Sequence, residues 1–168
     1  MTVLVAGVGN IFLGDDGFGA AVVRRLSEVD LGDDVEVADY GISGMHLAYD
    51  LTEAGYDLTI LVDAASRGGE PGTVYVIELD PGEQDTRGGG PLDAHGMRPD
   101  TVLALLRVLG GDAGRVLLVG CEPAELDDRI GLSPPVHRAV ETAVRAVTDL
   151  VAARRAGREP VGPIGTEV

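Results

Sequence analysis

Residues 7–20, GVGNIFLGDDGFGA, put two adjacent aspartates, Asp15 and Asp16, behind a glycine turn that follows an apolar strand. A glycine turn opening a helix is a common phosphate cradle, because the free N–H groups of the first helical turn point at the anion. Gly7 and Gly9 fit the dinucleotide fingerprint G-x-G-x-x-G, and Asp39 closes the second strand, where a ribose-binding acid belongs. The third glycine position, however, is Phe12, whose ring would block close helix–strand packing. Two carboxylates at the helix start also consume its donors and repel a pyrophosphate. The turn therefore predicts carboxylate chemistry and not nucleotide binding. Asp15 is assigned to capping the helix, a role worth about 1 kcal/mol. That leaves the Asp16 carboxylate free in the first turn.

The elements that must position these groups follow from the apolar pattern, which switches between short runs and helical stripes as in α/β proteins. Strands are predicted at Val3–Val8, Val35–Asp39, Leu58–Val62, Val74–Leu79 and Arg115–Cys121. Helices are predicted at Asp16–Val29, Met45–Ala54, Pro99–Leu109 and Pro134–Ala153. The third and fourth strands are too close in sequence for a crossover helix, so that pair is expected to be antiparallel. The segment from Asp80 to Arg98 is rich in glycine and acids and without periodicity. Loops of that length are usually functional or disordered. Residues 1–153 form one predicted domain, and 154–168 are expected to be a flexible tail.

Ligands of a parallel sheet gather beyond the carboxyl ends of its strands. Asp16 follows the first strand there, Asp39 ends the second, and Asp63 ends the third. The helix at Pro99 must start at the same edge, which brings His95 to it. Each has a plain alternative: Asp16 as a cap, Asp63 as a turn cap, His95 as a solvated loop residue. Together, Asp16, Asp63 and His95 supply two oxygen donors and one nitrogen donor with open positions, a set that suits Ni, Zn or Fe(II). His46 and His137 read as solvated. Cys121 reads as a small buried residue with nothing to activate its thiol. Ser43 has no base, and no G-x-S-x-G elbow is present.

The 168-residue chain carries 13 Lys and Arg against 28 Asp and Glu, a net charge of −15, which excludes nucleic acid as a partner. Its 45% hydrophobic content with 4% aromatics predicts a core of Val, Leu, Ile and Ala. No apolar run reaches a membrane span of about 20 residues. The lone Cys121 and the absence of a basic flank or cleavage site in MTVLVAGVG lead us to expect a cytoplasmic protein. A monomer is expected.

GVGNIFLGDDGFGAAVVRRL, DYGISGMHLAYDL, LTILVDAAS, the late His95 and VGCEPAELDDRIGLSPPV together resemble the hydrogenase maturation endopeptidases, in order and over roughly residues 3 to 150. The resemblance implies a twisted, mostly parallel five-stranded sheet with one antiparallel strand and helices on both faces. It implies an aspartic-type endopeptidase activity that removes a C-terminal extension from the large-subunit precursor of a [NiFe] hydrogenase after nickel insertion. The nickel is implied to arrive with the precursor, and no tightly bound metal of the chain's own is expected. The family's three metal-contacting side chains fall on Asp16, Asp63 and His95. The first is often Glu in relatives, so Asp16, one methylene shorter, should draw the metal slightly closer to the helix. Asp39 is a candidate base, or a group that supports the metal's ligands. Two alternatives are a hydrolase with its own permanent Zn or Fe, and a non-catalytic metal-sensing or chaperone module for the precursor.

Overall fold

Alternate residues of β1 (Val3–Val8) feed two separate apolar cores, so this strand must be covered on both faces. In the computed structural model, which describes residues 2–79, 114–158 and 166–167, every residue of β1 is buried. A tight 3-10 turn (Gly14–Gly17) leads into α1 (Phe18–Leu26). Then come β2 (Val35–Gly41), α2 (Gly44–Ala54), β3 (Leu58–Ala64) and β4 (Val74–Leu79). The order closes with β5 (Arg115–Cys121), α3 (Pro134–Arg155) and β6 (Thr166–Glu167).

The sheet runs β2-β1-β3-β5-β4-β6, with β2, β1, β3 and β5 parallel and β4 antiparallel to β5. This is the expected mostly parallel five-stranded sheet, with two-residue β6 added against β4. Phe18, Val22 and Leu26 of α1 and Val136, Ala143 and Val147 of α3 fill one core with Val3 and Val5. Leu47 and Leu51 of α2 fill the other with Leu4, Ala6 and Val8. Helices thus cover both faces, and none among the described residues is long and apolar enough to cross a membrane.

Three expectations need correction. The first helix, expected over Asp16–Val29, covers only Phe18–Leu26, because the chain enters through the Gly14–Gly17 turn. The fourth strand has the expected direction but not the expected neighbour: β5, with both faces buried, lies between β3 and β4. The last helix runs two residues beyond Ala153, and Thr166–Glu167 of the expected tail pairs with Tyr75 and Val76. The helix expected at Pro99–Leu109 lies outside the described residues.

Close helix–strand packing comes from a glycine that the dinucleotide comparison did not consider. A Cβ at Gly19 would overlap the carbonyl oxygens of Val8 and Val62, and one at Gly7 would lie 2.7 Å from the Gly19 carbonyl oxygen. Phe12, by contrast, is 60% exposed and plays no part in this packing. Because main-chain atoms cannot swing aside, Gly19→Ala is expected to destabilise the fold by about 3 kcal/mol. An unchanged urea midpoint would refute this close approach.

Candidate active site

The carboxyl ends of β1 and β3 bring two of the predicted acids together. Gly9 leaves β1 with φ of +126°, a region in which glycine is at ease. A side chain there would overlap the Asp16 carbonyl oxygen, and its Cβ would lie 3.3 Å from Asp63 Oδ1. The absence of a side chain at position 9 thus lets the Gly14–Gly17 turn close over the end of β3.

Asp16 is half-buried, and its Oδ2 accepts the Asn10 N–H at 2.7 Å. Asn10 Oδ1 in turn accepts the Phe12 N–H at 2.9 Å, so one asparagine shapes the whole turn. Burial raises the Asp16 carboxyl, and the Asn10 N–H only partly opposes this.

Asp63 is 4% exposed, and its Oδ1 accepts no hydrogen bond. Burial first, and the Asp16 charge second, push its carboxyl well above the ordinary aspartate value, against a smaller lowering by the Ala64 N–H. A dry carboxylate oxygen with no donor, facing a second carboxylate, is costly unless a cation or proton relieves it.

Asp15 corrects the sequence reading. It does not cap the helix, for which no side-chain cap is formed at either Leu13 or Gly17. With no solvent exposure, its carboxylate accepts the N–H groups of Ala124 and Glu125 at 2.8 Å, the Ser133 N–H at 2.7 Å and the Ser133 hydroxyl at 2.8 Å. Burial pushes its carboxyl up, but these donors outweigh burial and hold it below the ordinary value. Asp15 therefore clamps the segment between β5 and α3 against the turn that carries Asp16.

Asp39 stands exposed near the end of β2, and its Oδ1 accepts the Gly41 N–H at 2.9 Å. His95 lies outside the described residues. His46 is exposed, with Asp50 at 3.7 Å and an edge-on contact to Tyr40, and His137 is exposed on α3. Cys121 is buried, and burial pushes its thiol up to about 12.

Glu122 is the buried acid that sequence reasoning passed over. It is 3% exposed, and its Oε1 accepts the Arg67 N–H, pinning the segment after β3 to the end of β5. The Arg67 guanidinium lies 5.0 Å from the centre of the Tyr75 ring, whose hydroxyl donates to the Ala65 carbonyl at 2.6 Å. A glutamate directly after a continuous apolar strand and before Pro123 was the available signal.

The family model described as hydrogenase maturation protease, HycI, matches residues 20–150. The hydrogenase 2 maturation protease of Escherichia coli strain K12 is 35% identical over 163 residues, spanning 96% of this chain and 96% of that protein. The solved structure of the hydrogenase maturating endopeptidase HybD from E. coli superposes with a TM-score of 0.73 at 32% identity, covering 99% of this chain and 98% of that one. A [NiFe] hydrogenase maturation protease HycI from Thermococcus kodakarensis KOD1 superposes at 0.70 with 26% identity, covering 90% and 92%.

Asp63 and Asp15 predict opposite effects on stability. Asp63 binds its proton more tightly folded than unfolded, so its ionisation opposes folding as pH rises above about 3.8. Asp63→Asn is therefore expected to raise the melting temperature of chelator-treated protein at pH 7, with the gain vanishing as pH falls to 4. Asp15 has the reverse sign: its stabilisation is present above 3.8 and lost as pH falls through its lowered folded value. Asp15→Ala strands four donors and is expected to cost about 3 kcal/mol at neutral pH. Calorimetric melts across that pH range check both signs.

Proposed function

The chain belongs to the hydrogenase maturation protease family, whose members are peptidases, and we propose that it removes the C-terminal extension of a nickel-loaded [NiFe] hydrogenase large-subunit precursor. The observation that carries this reading is the buried Oδ1 of Asp63, without a hydrogen bond and set against Gly9 beside Asp16. Two carboxylates and the imidazole of His95 make a donor set for a borderline divalent ion. With too few donors to own a structural site, the set fits an ion whose remaining ligands come from the precursor. Empty precursor would then leave two carboxylates opposed and would bind poorly.

The chain's own residues do the positioning. Asn10 fixes the orientation of the Asp16 carboxylate, and the Asp15 clamp fixes the turn from which it projects. Asp63 is almost wholly withdrawn from solvent, where attraction between its carboxylate and a cation is strongest. The nickel, once there, supplies polarisation of the scissile carbonyl or acidification of a water. Asp39, near the same edge and open to solvent, is the candidate base for that water. We assign the activity to the cytoplasm and to a monomer.

Asp16→Ala and His95→Ala are each expected to leave precursor uncleaved in cells, with processing reduced by about 100-fold or more. Normal processing by either variant defeats the nickel-recognition reading. Elemental analysis separates the resident-metal alternative, since a stoichiometric Zn or Fe surviving chelation would establish ownership. Mass measurement of nickel-loaded precursor after incubation separates the chaperone alternative, because a binder releases no C-terminal peptide.

A further inference from the structure

Large apolar side chains exposed among the described residues occur only in the segments that leave the carboxyl ends of β1, β2 and β5. Phe12 is 60% exposed, Ile130 74%, Leu126 53% and Ile11 45%. An apolar surface of this kind on an otherwise highly charged molecule marks an interaction site.

These four residues are fixed relative to one another by main-chain hydrogen bonds. The Arg129 N–H donates to the Phe12 carbonyl at 3.0 Å, the Gly14 N–H to the Arg129 carbonyl at 2.8 Å, and the Asp15 N–H to the Glu125 carbonyl at 2.8 Å. Leu13 and Arg129 form a parallel bridge, so the loop after β1 and the loop after β5 run side by side as one rim. The Asp15 carboxylate locks the same two loops from beneath. Ile11 packs next to Gly17, which places the start of the rim one residue from Asp16. The rim is preorganised, so a partner would not have to order it on binding.

Its charge narrows the partner. Glu125, Asp127 and Asp128 flank the apolar residues, and the Arg129 guanidinium is engaged by Glu125 at 2.5 Å. An acidic margin around an apolar strip on a chain of net charge −15 favours a segment with both apolar and basic side chains. A peptidase must also hold its substrate beside the bond it cuts. We propose that the rim formed by Ile11, Phe12, Leu126 and Ile130 docks the segment of the substrate polypeptide adjoining the cleaved bond, a stretch combining apolar with Lys or Arg side chains. This rests on the peptidase reading above.

The test is steady-state processing of nickel-loaded precursor by the full-length protein, its F12S/I130S and D127N/D128N variants and the conservative F12L/I130V variant. We expect F12S/I130S to raise KM about tenfold with kcat within about twofold and an unchanged melting temperature. D127N/D128N should raise KM by less and flatten its salt dependence, and F12L/I130V should retain the wild-type KM. An unchanged KM in F12S/I130S overturns the proposal. So does a wild-type dimer in sedimentation that F12S/I130S converts to monomer without altering KM, which would make the rim a self-contact. If wild-type protein cleaves no precursor yet binds it, and F12S/I130S weakens that binding, hydrolysis fails while docking stands. Neither cleavage nor binding by wild type overturns both.

Discussion

The approach of the Gly14–Gly17 turn to the end of β3 governs the rest of the molecule. It is possible only because Gly7, Gly9 and Gly19 leave room where backbone meets backbone. With side chains at these points, α1 would stand off the sheet and Asp16 would retreat from Asp63. The apolar core on either face then holds the two carboxylates in a proximity that their charges oppose. A pair of acids held this way would gain more from a proton or a cation than a relaxed, solvated pair would.

Asp15, Asp16 and Asp63 show how environment divides the behaviour of identical side chains. Asp15 meets four donors and is held ionised as a structural anchor of the loop after β5, whereas Asp63 meets none at Oδ1. Asp16 lies between these extremes, with a single N–H from Asn10. Asp15 and Asp16 are adjacent in the chain, so the turn that carries Asp16 is also the one tied to the loop after β5.

Much of this was legible in the residues because it depends on local pattern. An apolar run ending in aspartate places Asp63 at the end of a buried parallel strand, and a glycine turn before a helix places Asp16 across from it. The role of Asp15 was not legible, because its partners lie more than a hundred residues along the chain and are mostly backbone N–H groups. Strand spacing revealed the direction of β4 but not the insertion of β5 beside it, since pairing order depends on which strand can be buried on both faces. The helix starts later than the pattern suggests because Asp15 and Asp16 look like first-turn acids, while Gly14 and Gly17 bound a tighter turn there. His95 was reached from topology and lies outside the described residues.

The sheet ends on one side at β2, whose outer margin has no neighbouring strand among the described residues. A bare strand of this kind is a template on which a second molecule can stack. Exposed Glu36 and Asp39 along it mean that two such margins would meet with like charges opposed. Acidic side chains along this margin disfavour such stacking, and neutralising Glu36 would weaken that repulsion.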